Sequence, residues 1–255
     1  MSTITDIFSS ASARDSAKPA GSNTGLVIFR SDSDAIEISD GSAYQTYNSD
    51  GVGINFASNT KSGEFDGVAT YIDVGNDASL NVSGALSITA WIKYDSLSGF
   101  PMLLSKRGGL SDHAYQFYST GSKLNFSNGT IAQSTGTLST GAWTHVGVTF
   151  DGSGGVTFYI NGSGAGTASA ASSNPINSTN VTIGKAFNGN YTEGKIDEVA
   201  FFNSELTATQ IANIYTHKFY QSPVSVWRFE DDVTDSVGSN NGSNNGVTFS
   251  TDKPY

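Results

Sequence analysis

Short runs of apolar or alternating residues, each bounded by glycine, aspartate or asparagine, recur between residues 71 and 202. Such runs predict β-strands, because side chains alternate between the two faces of a strand and tight turns favour the bounding residue types. The predicted strands are Tyr71–Val74, Leu86–Tyr94, Met102–Ser105, Tyr115–Tyr118, Lys123–Phe126, Trp143–Phe150, Val156–Ile160, Val181–Ile183 and Ile196–Phe202. Many short strands with regular turns are typical of an all-β sandwich or jelly roll.

Local patterns within these segments support the same fold class. In the second predicted strand, Ile88, Ala90 and Ile92 should face one side and the intervening residues the other. Asn161-Gly162 supplies the positive φ angles that a type I′ hairpin turn needs. The 29 glycines and a charged fraction of only 14% fit strands joined by tight polar turns.

One helix is predicted at residues 207–215. Thr207 and Gln210 have the spacing of a capping box, in which each side chain accepts a backbone N–H of the other residue. Ile211 and Ile214 give this segment an apolar face.

The N-terminal residues 1–47 are interpreted as an attachment segment. Ile4, Ile7, Phe8 and Ala11 fall on one face of a helix, which predicts either a small docking helix or a frayed tail. The following residues 25–47 predict a β-hairpin, with strands at 26–29 and 35–39 around a polar turn.

Composition and charge exclude several classes of function. The net charge is −10, so binding to nucleic acid or to anionic lipid is disfavoured. No run approaches the roughly 20 apolar residues that span a bilayer, so we expect no membrane insertion. With no cysteine there is no disulfide, thiolate nucleophile or cysteine zinc site. Residues 1–21 lack a basic stretch followed by an apolar run, so we expect no secretory signal in this chain.

Five motifs occur in an order that points to a known family. They are EFDGVATYIDV (64–74), LSITAWIKYDS (86–96), LLSKRGG (103–109), WTHVGVTFDGSGGVTFYING (143–162) and VTIGKAFNGNYTEGKIDEVAFFNSELTATQIANIY (181–215). Together they resemble the laminin-G-like, or concanavalin-A-like, jelly-roll family in its bacterial and viral form. The resemblance implies a β-sandwich jelly roll over residues 48–255, with the N-terminal helix and hairpin as a small extension.

The C-terminal segment departs from the family pattern. Residues 224–249 resemble the opening strand and loop of the family, which in most members precede the FDG motif. A lone hairpin would be marginally stable. We therefore expect residues 224–255 to supply a permuted closing strand of the same sandwich, or a strand exchanged with a neighbouring subunit.

The resemblance also implies a structural Ca²⁺ ion. The matching positions are Asp197 in IDEV and Asp235 and Asn241 in the loop TDSVGSNNG. Hard oxygen ligands from separate loops are what Ca²⁺ takes. The alternative is that Asp197 and Asp235 cap turns.

No catalytic constellation is predicted. The catalytic branch of the family carries a carboxylate pair on alternate strand positions, and retaining glycosidases need two carboxyls about 5 Å apart on one face. Here Asp197 and Glu198 are adjacent, so on a regular strand they should point to opposite faces. His145 is interpreted as a strand residue, and the protein is predicted not to be an enzyme.

A glycan site would need exposed aromatic side chains with amide or carboxylate neighbours in the loops. The candidates are Phe187, Asn188, Asn190 and Tyr191 in KAFNGNYTEG, with a second group formed by Phe100, His113 and Tyr115. The alternative for each of these residues is an ordinary role in a loop or in the core.

The N-terminal hairpin resembles a module of phage tail-fibre and other virion proteins. It implies a non-catalytic virion structural protein, a fibre or a capsid-surface decoration, whose lectin-like domain contacts host glycans. Its partners would be other virion proteins and host surface glycans, and a homo-oligomer is expected by analogy. The alternative is an extracellular carbohydrate-binding or adhesion module of a secreted bacterial protein.

Overall fold

The computed structural model describes residues 59–216 and 223–255, together with the backbone of three earlier strands. The chain divides into two units, one of residues 1–58 and 216–222 and the other of residues 59–215 and 223–255.

The first unit contains a three-stranded antiparallel sheet of β1 (Val27–Arg30), β2 (Ala35–Ser39) and β3 (Tyr44–Tyr47). The predicted hairpin is present in β1 and β2, while β3 was not predicted as a strand. The helix predicted at residues 4–11 lies outside the described residues.

The second unit is a sandwich of two antiparallel sheets. Its strands are β4 (Ser62–Asp66), β5 (Tyr71–Gly75), β6 (Leu86–Tyr94), β7 (Met102–Arg107), β8 (His113–Thr120), β9 (Lys123–Ser127), β10 (Ile131–Gln133), β11 (Thr144–Phe150), β12 (Gly155–Ile160), β13 (Ser163–Ser169), β14 (Val181–Ile183), β15 (Glu193–Phe202), β16 (Ser225–Trp227), β17 (Ser243–Asn245) and β18 (Thr248–Ser250). One sheet has the order β10-β9-β8-β7-β14-β5-β17, and the other has β13-β12-β11-β6-β15-β4-β18, with β16 also paired to β15. The predicted all-β sandwich is confirmed.

The core lies between the seven-stranded and the eight-stranded sheet. Ile88, Ala90 and Ile92 of β6 point into it, as the alternation predicts. Aromatic pairs connect the two layers: the ring of Tyr115 on β8 stacks on Phe201 of β15 with centroids 5.4 Å apart. Stacked rings of this kind add specific geometry to the burial of large apolar surfaces.

The predicted helix is present as α1 (Ala208–Tyr215). Its capping box forms as expected, because Thr207 N donates to Gln210 Oε1 at 2.7 Å and Gln210 N donates to Thr207 Oγ1 at 3.3 Å. Ile211 and Ile214 are buried. A short 3-10 helix spans Ala78–Leu80. Neither these helices nor any other helical segment among the described residues is long and apolar enough to cross a membrane.

The C-terminal segment contributes to both sheets of its own chain. β16 pairs with β15 and β18 with β4 in the eight-stranded sheet, while β17 pairs with β5 in the seven-stranded sheet. The side chain of Trp227 in β16 is fully buried, and its indole donates to Asn240 O at 2.8 Å. In this arrangement, residues 223–255 complete the sandwich within one chain.

Residues 251–255 form a C-terminal strap over the outer face of the eight-stranded sheet. Asp252 accepts hydrogen bonds from Lys93 Nζ at 2.7 Å and from Trp143 Nε1 at 2.9 Å. The ring of Tyr255 lies 6.2 Å from that of Trp91, centroid to centroid. The strap therefore covers the outward residues of β6.

The close approach of β15 to β6 yields a first prediction. Gly194 on β15 has φ +131°, and a Cβ atom there would meet Tyr94 Cα at 2.8 Å. Gly194→Ala should therefore destabilise the fold by at least ~2 kcal/mol, from strained backbone and overpacking together. Thermal or denaturant unfolding measures this loss.

The matched control is Gly164→Ala in β13, where a Cβ atom would meet nothing within 4 Å. It should change the free energy of unfolding by less than about 1 kcal/mol. Equal losses in the two variants would contradict the close approach at Gly194.

Candidate functional site

A pocket of about 250 Å³ opens on the outer face of the seven-stranded sheet. We call it the Phe187 pocket; its lining residues are Phe100, Met102, Arg107, Leu110, Gln116, Tyr118, Ile131, Ala186, Phe187, Asn188 and Asn190. Strands β7, β8 and β10 supply its floor, and three loops supply its walls. It lies on this face because Gln116 and Tyr118 flank the inward Phe117 of β8 and so point away from the core.

Part of the pocket floor is apolar. Met102, Tyr118 and Ala186 form a small buried cluster that is separate from the main core. The ring of Phe100, which is 45% exposed, lies 6.3 Å from that of Tyr118. Burial raises the pKa of Tyr118, partly offset by the positive charge of Arg107, so the phenol stays neutral. Leu110 (83% exposed) and Ile131 (63%) extend this apolar surface to the rim.

Arg107 is held in the pocket by neutral groups. Its Nε donates to Gly109 O at 2.9 Å, and its Nη1 donates to Gln116 Oε1 at 3.1 Å. Gln116 in turn donates to Ser105 Oγ at 3.0 Å. The guanidinium carbon lies 4.3 Å from the centroid of the Phe187 ring, which places the cation over an aromatic face. These contacts fix the orientation of the guanidinium.

The loop of residues 185–191 carries three of the predicted site residues into the pocket. Lys185 and Tyr191 form a β-bridge at its base, and Ala186 N donates to Asn190 O at 2.8 Å. At its tip Asn190 Nδ2 donates to Asn188 Oδ1 at 2.9 Å. Phe187 is half-buried and Asn188 exposed, so the ring and the amides can both be reached by a ligand.

Of the other residues predicted for a glycan site, some line the pocket and some do not. Tyr191 does not line the pocket; its ring packs beside Tyr71, with centroids 6.3 Å apart. Of the second predicted group, Phe100 lines the pocket, whereas Tyr115 is fully buried in the core. His113 does not line the pocket, and its Nε2 lies 2.5 Å from Leu110 O.

Sequence reasoning missed Arg107, Gln116 and Tyr118. A signal for two of them was present, because Gln116 and Tyr118 alternate with the apolar Phe117 on one predicted strand. Arg107 lies in LLSKRGG, beyond the predicted end of its strand at Ser105. The structure extends that strand to Arg107 and thereby brings the cation beside Gln116.

The residues predicted to bind Ca²⁺ have protein partners. Both carboxylate oxygens of Asp235 accept backbone N–H groups, Oδ1 from Val226, Val237 and Gly238 and Oδ2 from Asn240. Asn241 Oδ1 accepts the N–H of Asp235 itself. These contacts are those of a turn cap, the alternative noted above. No group of three or more His, Cys, Asp or Glu side chains suited to a metal occurs in the described part of the chain, and calcium binding stays a prediction.

The expectation that Asp197 and Glu198 point to opposite faces is wrong. The register between β15 and β6 shifts between Asp197 and Ala200, and Glu198 has φ +49°. This bulge inserts one extra residue, so that Ile196 and Val199 both point into the core. Asp197 and Glu198 therefore share the outer face of the eight-stranded sheet.

Both carboxyls are buried on that face, with 0% and 2% of the residue exposed. Asp197 Oδ2 accepts from Asn59 Nδ2 at 2.8 Å, and Glu198 is paired with Arg228 at 2.8 Å. Burial, and then the negative charge of Glu198, raise the pKa of Asp197 well above 3.8. Burial and the charge of Glu198 likewise raise the pKa of the Tyr255 phenol in the strap. The carboxylate pair thus lies on the sheet opposite the Phe187 pocket.

The raised pKa of Asp197 predicts a pH dependence of stability. The folded state holds a proton that the unfolded state releases near pH 4, so stability falls as the pH rises from about 4 through the raised pKa. Each unit of the rise corresponds to about 1.4 kcal/mol. Asp197→Asn removes the charge and keeps an acceptor for the Glu198 N–H. It should raise the midpoint of thermal unfolding at pH 7 and flatten this slope.

The control is Asp151→Asn, since Asp151 is an exposed carboxylate whose pKa is lowered by the N–H of Ser153. That variant should not gain stability at pH 7. A loss of stability in Asp197→Asn at pH 7, together with an unchanged slope, would contradict the assignment.

Comparison with known proteins gives a family and a fold. A family model described as Laminin_G_3, concanavalin A-like lectin/glucanases superfamily, matches residues 65–212, more than half of the chain. A candidate carbohydrate-binding protein from Bacteroides ovatus has 18% identity and a TM-score of 0.63, over 91% of this chain and 71% of that one. The heptameric SAP-like pentraxin from Limulus polyphemus has 15% identity and a TM-score of 0.54, over 75% and 94%. At such identities the likeness establishes the fold alone. No curated protein matches the chain.

Proposed function

The chain belongs to the concanavalin A-like lectin/glucanases superfamily, and from this membership we propose that it is a non-catalytic carbohydrate-binding module whose ligand occupies the Phe187 pocket. The sandwich acts as a rigid support for this pocket, because its floor lies on paired strands rather than on loops alone.

The main support for this proposal is that the pocket combines aromatic surface with amide groups. Sugars present apolar C–H faces and polar hydroxyls, and binding sites for small molecules combine apolar walls with a few placed polar groups. Here Phe100 and Phe187 supply aromatic surface, while Gln116, Asn188 and Asn190 supply amides. The fold match to a candidate carbohydrate-binding protein from Bacteroides ovatus supports the same interpretation.

The placement of the carboxyls favours binding over hydrolysis. Acid catalysis of glycoside cleavage needs two carboxyl groups flanking the sugar bond. No carboxylate is among the described residues that line the Phe187 pocket. The buried Asp197 and Glu198 lie on the other sheet, under contacts with Asn59 and Arg228.

An extracellular binding or adhesion module fits this function better than a virion protein. A glycan-binding surface on a stable sandwich can act without assembly into a virion. The virion role rests on residues 1–47, of which only three backbone strands are described. Attachment to virion proteins therefore stays a prediction. Homo-oligomer formation and calcium binding also stay predictions.

Removal of the Phe187 ring tests the proposed function. A glycan array, followed by calorimetry on the best ligand, should identify binding by the full chain. Phe187→Ala and Asn190→Ala should each weaken that binding by at least tenfold, which corresponds to about 1.4 kcal/mol. Both changes lie in a surface loop and should leave the unfolding midpoint nearly unchanged.

Ile176→Ala is the matched control, because Ile176 is 62% exposed and does not line the pocket. Its affinity should equal that of the unmodified protein. Binding that survives both pocket variants would place the glycan site elsewhere, and an array without any ligand would refute the function.

A further inference from the structure

The Phe187 pocket is positively charged, whereas the whole chain has a negative net charge. The protein has 23 acidic and 13 basic side chains, excluding histidine. Yet Arg107 is the one charged group among the described residues that line the pocket, and none of these residues is a carboxylate. A pocket for a neutral sugar needs no such cation, so the charge calls for an explanation.

Among the residues that the structure describes, Arg107 carries its charge without an ionic partner. It forms no ion pair with a carboxylate in the part of the chain that the structure describes. Its hydrogen bonds go to Gly109 O and Gln116 Oε1, both neutral, and Nη2 donates to no acceptor in the same part. A partly buried cation that lacks a counter-ion carries an uncompensated desolvation cost.

A second cation, which has no ionic partner within the described part of the chain, lies at the base of the same loop. Lys185 Nζ lies 3.8 Å from the centroid of the Tyr71 ring and 5.9 Å from that of Tyr191. It forms no ion pair within the described ranges 59–216 and 223–255. Positive charge thus lies at the first residue of the loop of residues 185–191 and against the Phe187 ring within it.

The outer face of the other sheet shows the opposite arrangement. There Lys93 pairs with Asp252, Lys195 with Glu64 and Asp252, and Arg228 with Glu198. On the eight-stranded sheet Lys93, Lys195 and Arg228 are thus neutralised by carboxylates, whereas Arg107 and Lys185 at the pocket have no such partner among the described residues.

We propose that the pocket takes an acidic glycan, in which a sugar carboxylate binds the Arg107 guanidinium while the ring packs on the apolar floor. This inference rests on the proposed function and specifies its ligand class. A planar guanidinium matches a carboxylate by two parallel N–H···O bonds, and its stacking on Phe187 holds that plane in place. Lys185 adds a longer-range attraction for further carboxylates along the chain of sugars.

The test compares ligands that differ only in the carboxylate. Polygalacturonic acid is paired with its carboxyl-reduced polymer, and sialyllactose with lactose, so that uronic and sialic acids are distinguished. At least one acidic member should bind the full chain tenfold or more tighter than its neutral partner. Equal binding of acidic and neutral members would overturn the inference and leave the proposed function standing. An array on which no glycan binds would refute both.

Variants of Arg107 then test whether this residue causes the preference for the acidic ligand. Arg107→Gln should remove the preference for the acidic member, and Arg107→Lys should keep part of it, because a lysine keeps the charge but not the two-pronged geometry. The control Lys61→Gln removes one positive charge from an exposed pair with Asp231 and should leave the preference intact. Unfolding midpoints show that each variant is folded. A preference that survives Arg107→Gln, or that falls equally in Lys61→Gln, would overturn the assignment.

Discussion

Strand β15 links three other strands of the eight-stranded sheet and so holds that layer of the sandwich together. β15 pairs with β6 along one side, and along the other it pairs first with β4 and then with β16. It thereby ties the beginning of the sandwich to the C-terminal segment. Gly194 allows the close approach to β6, and Phe201 stacks on Tyr115 of the opposite sheet. The cost of this arrangement is the bulge at Glu198, which brings two carboxyls onto one face and requires Arg228 to neutralise one of them.

The two outer faces of the sandwich are covered differently. On the eight-stranded sheet, α1 and the C-terminal strap cover the outward residues, with Trp91 packed against Tyr215 and Tyr255. The buried Asp197 and Glu198 on that face are held by a hydrogen bond from Asn59 and an ion pair with Arg228, which is a structural use of charge. The seven-stranded sheet carries the Phe187 pocket, with exposed apolar side chains at its rim. Exposed apolar groups that surround placed polar ones are typical of a binding surface rather than of a covered one.

Strands with a clear two-residue period were predicted well, and the rest were not, for physical reasons. Leu86–Tyr94 and Val181–Ile183 coincide with β6 and β14, because apolar side chains fill alternate or successive buried positions. β13 reads SGAGTAS and has only small side chains, so no period marks it. The bulge on β15 was not predicted for a different reason. A glutamate at positive φ is uncommon, and a prediction from alternation assumes that no extra residue is inserted in the strand. In the pocket, loop composition predicted Phe187, Asn188 and Asn190. Arg107 could not be predicted because its position beside Gln116 depends on the pairing of β7 with β8, whose register shifts twice.

The net charge of −10 gives the proposed acidic ligand a particular kind of specificity. At distances beyond the Debye length, about 8 Å at physiological ionic strength, salt screens the repulsion between an acidic polymer and the acidic surface. Closer in, that repulsion opposes binding wherever carboxylates lie near the ligand. Attraction remains where cations lack carboxylate partners among the described residues, as at Arg107 and Lys185. A uniformly basic surface would bind any polyanion, whereas an acidic surface with a small basic pocket selects a carboxylate that fits it in position and plane. On this argument the surplus of acidic residues helps the pocket to discriminate among anionic ligands.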